Sequence, residues 1–198
     1  EFLQQLGRAP TMRNPLGDAD LDEFQQELEG KVRQMLGAPP EGEQYVLEAE
    51  VNQVTLNRDP AVLPPSRLRQ ARQIVKEALE AEGAVHAAYT RDEILQSDTQ
   101  KGRMLSHFRK AFHPPRSGDV LFVLAPYTIQ SRSAATHGSP WAYDTHVPLI
   151  LMGAGVKPGE YPQQCSPANL GPTLAKLLGV EMPMHAVESP LDDLLNTQ

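Results

Sequence analysis

Two histidines sit where they could do chemistry. His137 is followed by Gly138, and His146 closes the stretch Asp144-Thr145-His146, nine residues further on. A neutral imidazole binds zinc through one ring nitrogen, while the other needs a carboxylate or carbonyl to fix the ring. Asp144 is the nearby carboxylate for that task, and Gly138 lets backbone approach an ion or ligand closely. Spacing alone does not make a metal site of two such residues. The other four histidines have structural readings: His86 in a predicted strand, His107 on a predicted helix, His113 beside two prolines, His185 near the C-terminus. Cys165 is the lone cysteine, which excludes an intrachain disulfide and a cysteine-rich zinc motif, and reads as a small loop residue.

The elements that must position these residues follow from periodicity. Residues 1–18 carry Gly7, Pro10, Pro15 and Gly17 and read as an irregular lead-in. A helix is predicted from Asp20, with Glu23 in capping-box spacing and Leu21, Phe24, Leu28, Val32 and Met35 on one face, ending at Gly37. Tyr45 to Leu56 is strand-like, with Asn52-Gln53 either a tight turn or an exposed step in one long strand. Ser66 is a plausible N-cap for a second helix that buries Leu68, Ala71, Val75, Ala78 and Leu79 before Gly83. A short strand follows at Val85–Tyr89. Thr90 and Glu93 form a capping box for a short helix, and a further helix covers about residues 101–112. This order predicts a small α+β unit with helices on one face of an antiparallel sheet.

The texture changes after His113-Pro114-Pro115. Asp119–Leu124 and Val147–Met152 are near-continuous apolar runs, the pattern of strands covered on both faces. Ser166–Leu178 reads as a helix with Leu170, Leu174, Leu177 and Leu178 inward and Gly179 closing it. Strands alternating with helices belong to an α/β sandwich. The expected division is therefore 1–115, an accessory α+β unit, and 116–198, strands and helix of an α/β core.

The chain has 198 residues, 40% of them apolar, and a net charge of -7. That balance offers no basic surface for nucleic acid or anionic lipid, and no aromatic-basic patch appears. No apolar run approaches the ~20 residues of a membrane span. No signal peptide is visible, and the chain opens on Glu1.

Longer segments carry a resemblance. Thr136-His137-Gly138-Ser139-Pro140-Trp141-Ala142-Tyr143-Asp144-Thr145-His146-Val147-Pro148-Leu149 resembles the THGSPYxYDTHVPL stretch of a group of bacterial alkaline phosphatases. That group belongs to the type I phosphodiesterase/nucleotide pyrophosphatase family of the alkaline phosphatase superfamily. Tyr89-Thr90-Arg91-Asp92 is similar to its YTRD segment, and residues 112–120 to its YHPxRSGDV segment. Gly155-Val156-Lys157-Pro158-Gly159 is similar to its G-I-K-P-G turn. Together these cover most of residues 45–180.

The resemblance implies a phosphoric-ester hydrolase with two zinc ions and a Thr or Ser nucleophile that forms a covalent intermediate. It makes His137 a zinc ligand, with Asp144 and His146 as supporting or packing residues. It also implies an exported protein, periplasmic or secreted. The family's other ligands, in an Asp-His-Gly motif and an Asp-x-x-x-His pair, have no counterpart here, and no nucleophile is recognisable. The sequence thus reads as a C-terminal fragment, with no catalytic residue of its own, no stably bound zinc and no activity in isolation. Self-association through an exposed sheet edge is expected of such a piece. Alternatives are a phosphonate or sulfate ester hydrolase, and a non-catalytic binding or scaffold module with structural histidines.

Overall fold

The computed structural model describes residues 21–50, 52–96, 102–129 and 137–196. The capping box expected at Asp20 falls on a residue outside these. The chain divides into two compact units, residues 1–146 and 147–198.

The first unit is built on four strands. β1 (Val46–Ala49) and β2 (Gln53–Leu56) form a hairpin, so Asn52-Gln53 lies at a turn and not within one long strand. β3 (Val85–Thr90) and β4 (Val120–Leu124) complete an antiparallel sheet of order β1-β2-β4-β3. β4 pairs with β2 through Val54 and Val120, and with β3 through Thr90 and Val120 and four further pairs. The apolar run at 119–124 therefore supplies β4, which with β2 is one of the two inner strands of this sheet, and β1 and β3 are its edges. The sheet thus draws a strand from beyond the expected 115/116 division.

Two long helices cover one face. α1 (Leu21–Leu36) buries Phe24, Leu28, Val32 and Leu36 and stops at Gly37, whose φ of 82° suits glycine. Met35, expected on the buried face, is exposed, because the helix turns Leu36 inward in its place. α2 (Pro65–Ala81) buries Ala71, Val75 and Leu79. Its N-cap is Pro64 rather than Ser66, with Pro65 in the first turn where a missing N–H costs nothing. These side chains join Val46, Val54, Leu56, Ala88, Val120 and Phe122 in the main core. Buried Glu29 ties α1 to β1 by accepting from the N–H groups of Tyr45 (2.9 Å) and Val46 (2.7 Å).

Strand alternation sends Leu121 to the opposite face. There it meets Ile94 of α3 (Arg91–Gln96) and Phe112, with Leu105 and Phe108 of α4 (Arg103–Ala111) packed against them. Helices thus lie on both faces, not one, since β4 is apolar on both of its sides.

The capping box that opens α3 is present. Glu93 Oε2 accepts from Thr90 N (2.7 Å) and Thr90 Oγ1 (3.0 Å), and Thr90 Oγ1 accepts from Glu93 N (3.2 Å). Burial pushes the Glu93 carboxyl up, but the Lys76 ammonium and the two Thr90 donors together outweigh it and hold it below its ordinary value. A depressed carboxylate stabilises the fold above its unfolded pKa, and that contribution is lost as pH falls through the folded value. Melting temperatures across acid pH should therefore show wild type and Glu93→Gln converging on acidification, with wild type the more stable near neutrality.

The second unit is held by polar pins. In α6 (Leu170–Leu178), numbered after the one-turn α5 (Ala142–Thr145), buried Thr173 donates to Asn169 O (2.7 Å) and accepts from Leu191 N (2.9 Å). Asn169 donates to Ser189 O at 2.9 Å. Ser166 caps the preceding 3-10 turn, and Gly179 closes α6 at φ 66° as expected. Two expectations fail here. Val147–Met152 is not a strand, and Ile150 and Met152 are 84% and 97% exposed. Leu174 and Leu178 are exposed as well. In both cases the apolar side chains have no sheet among the described residues of their unit to pack on, and without partner strands an extended run has no ladder to join. Among the described residues, no helix is long and apolar enough to cross a membrane.

Candidate functional site

The site is built on the loop 137–141 and on α5, which follows it directly. Gly138 has φ 93°, a left-handed conformation in which a side chain would be strained. His137 beside it is exposed. Three side chains near α5 fix the surrounding backbone. Asp144 Oδ2 accepts from Ser139 N at 2.5 Å, closing the loop onto the helix. Trp141 Nε1 donates to Leu124 O at 3.0 Å, tying the loop to the end of β4, and its ring meets His86 edge-on at 4.9 Å. Tyr143 Oη accepts from Tyr127 N at 3.0 Å, and the two rings stack at 4.7 Å. Tyr127 has φ 60°, uncommon for a bulky residue, and the clamp from Tyr143 holds it there.

His137, Ser139 and Trp141 line a cavity of about 600 Å³ together with His107, Gln53 and Phe108. Ser139 Oγ is buried in the loop with no hydrogen-bond partner among the described residues. The second unit has a cavity of its own, about 560 Å³, lined by Leu149, Ile150, Tyr161 and Cys165 among others and by no histidine. Lys157, Glu160, Asp192 and Asp193 also line the second, so it is the histidines, His107 and His137, that select the first.

The structure brings Asp144 to the backbone of Ser139, not to an imidazole. Asp144 therefore shapes the loop that carries His137. His146 is exposed at the C-cap of α5, its N–H donating to Ala142 O. His86, His107, His113 and His185 are all exposed, and Cys165 is exposed in a loop. Among the described residues no group of three or more His, Cys, Asp or Glu side chains could hold a metal ion. Catalytic zinc takes three protein ligands, so the residues present do not by themselves fit it.

Sequence reading missed what the other motif segments do. Asp119 is fully buried. Its Oδ2 accepts from Leu56 N and Arg58 Nε, both at 3.0 Å, and its Oδ1 from Arg72 Nε at 2.9 Å. Arg72 also donates to Asp92 at 2.9 Å, and Arg91 N to Asp119 O at 2.8 Å. Asp92 and Asp119 of these segments thus form one ionic network with Arg58 and Arg72 that locks β2, α2, α3 and β4, with the Arg91 N–H and Ser117 O joined to it by hydrogen bonds. The one signal for it was a carboxylate heading an apolar strand, which needs a buried cation.

No protein-family model matches the chain. It is 29% identical over 183 residues to the alkaline phosphatase PafA of Elizabethkingia meningoseptica, covering 88% of this chain and 32% of that protein. It is 30% identical over 128 residues to the alkaline phosphatase PhoK of a Sphingomonas species, covering 59% of this chain and 23% of that one. The crystal structure of wild-type PafA superposes with a TM-score of 0.77 at 26% identity, over 98% of this chain and 35% of that one. These similarities support a place in the alkaline phosphatase superfamily. The chain spans about a third of the length of PafA and less of PhoK. The helices and small antiparallel sheet of this chain thus match part of the α/β fold of the PafA structure.

Proposed function

We propose that this chain is part of a zinc-dependent phosphoric-ester hydrolase and contributes His137 as a metal ligand. The observation that carries the reading is His137 itself. It stands exposed at a cavity, on a loop fixed by Gly138, Asp144 and Trp141, in a chain similar to alkaline phosphatases. Zinc, when bound in such a site, supplies Lewis-acid charge for phosphoryl transfer. The chain's own part is to present an imidazole from a loop that Asp144 closes onto the helix, with His146 as a supporting or packing residue. Membership of the type I phosphodiesterase/nucleotide pyrophosphatase family and a periplasmic or secreted location belong to the same reading and rest on the motif segments. A phosphate ester is the substrate class.

One imidazole is too few ligands for catalysis, so the purified chain is expected to hydrolyse no p-nitrophenyl phosphate with added zinc. Detectable turnover would contradict this. His137 is tested by grafting the chain in place of the matching third of the Elizabethkingia alkaline phosphatase. The graft should retain phosphatase activity and bound zinc, and His137→Ala should remove both. Full activity in that variant excludes His137 from the site, and would favour a scaffold role with structural histidines.

A further inference from the structure

The turn at residues 113–117 gathers positive charge that the fold neutralises only in part. Its backbone is folded tightly: the N–H groups of Arg116 and Ser117 donate to His113 O at 2.9 and 2.8 Å. His113 N in turn donates to Ser117 Oγ at 2.9 Å. Two guanidinium groups from elsewhere reach this one turn. Arg58 Nη2 donates to Ser117 O at 2.7 Å, and Arg91 Nη1 donates to Pro114 O at 2.7 Å. Arg116, on the turn itself, is exposed, and its guanidinium has no hydrogen bond or ion pair among the described residues.

The local carboxylates are occupied. Asp119 holds Arg58 and Arg72, and Asp92 holds Arg72. Four arginines (Arg58, Arg72, Arg91, Arg116) thus face two carboxylates, an excess of two positive charges in a chain whose net charge is -7. Arg91 feels that excess. Burial lowers its pKa first, and the nearby Arg58 and Arg72 lower it further, with Asp119 and Asp92 opposing. A cation crowded by cations gains when an anion arrives. Arg91 is also stacked on the Phe112 ring at 5.4 Å, which orients its planar fork. A guanidinium has five N–H donors, and one bond to Pro114 O leaves others for a second acceptor. That fork matches an oxyanion with two adjacent oxygens.

We propose that the 113–117 turn binds a phosphate oxyanion, free or as the end group of a phosphomonoester, through Arg91 and Arg116 with Arg58 adding charge. The site uses none of the residues assigned to metal binding and stands or falls independently of His137.

The test is nuclear magnetic resonance of the arginine Nε–H signals in the purified chain. It is titrated with inorganic phosphate, with glycerol 3-phosphate, and with chloride at matched ionic strength. Arg91 and Arg116 signals should shift saturably with phosphate in the millimolar range and not with chloride. Arg91→Gln and Arg116→Gln should each weaken binding about tenfold, and Lys31→Gln should leave it unchanged. The Arg116 side chain is exposed and has no partner among the described residues to lose, so its variant is expected to fold and keeps the test decisive. A tighter curve with glycerol 3-phosphate identifies the end group of a larger molecule as the ligand, and equal curves identify the phosphate itself. Shifts that never saturate, an equal response to chloride, or unchanged binding in both arginine variants would overturn the proposal.

Discussion

Replacing Asp119 with alanine is expected to destabilise the first unit by roughly 3–5 kcal/mol. The carboxylate is fully buried and neutralises two guanidinium groups, and Arg72 is itself buried. Removing it leaves a buried cation without its partner, a far larger cost than the net worth of the pair. A domain is stable by only about 5–15 kcal/mol in all, so the variant should lose much of its margin. Urea unfolding followed by circular dichroism measures this directly. Asp92→Asn supplies the comparison: its side chain is 38% exposed, and the loss should be much smaller. Equal effects from the two variants would mean that Asp119 is not the centre of the network.

The second large effect is expected one residue earlier. A Cβ added at Gly118 would stand 2.8 Å from Val54 O and 3.1 Å from Gln53 Cβ. The first of these atoms is backbone, and it also accepts the 2.7 Å hydrogen bond from Asp119 N. Neither can give way without parting β2 from β4 where Asp119 enters. Gly118→Ala should therefore cost roughly 1–3 kcal/mol. Gly83→Ala, where a Cβ meets nothing within 4 Å, is the control and should change little. Unfolding midpoints of the two variants decide the matter. Here the glycine is required by close approach of backbone to backbone, not by a left-handed φ.

Much of the first unit was legible in the sequence because its signals are local. The 3.6-residue stripe at Phe24, Leu28 and Val32, the Thr90–Glu93 box and the doubly apolar run 120–124 each depend on neighbours a few residues away. The buried face of α1 drifted at its end, where Leu36 displaced Met35, because the last turn answers to the core and not to the repeat. Leu174, Leu178 and Ile150 show the other limit. An apolar pattern states that a face wants cover, and tertiary structure alone supplies or withholds it.

The candidate site divides in the same way. The sequence by itself determined which residues could act: His137 next to a glycine, with Asp144 and His146 close behind, in a segment resembling alkaline phosphatases. Tertiary structure decided what they touch. It gave Asp144 to Ser139 N, set His137 at a cavity wall, and drew Arg72, Arg58 and Asp119 together from positions 47 and 61 residues apart in the chain. Periodicity and capping are short-range and can be read along the chain. A buried charge network depends on which distant segments pack together, and that is settled only when the sheet order β1-β2-β4-β3 brings β4 between β2 and β3.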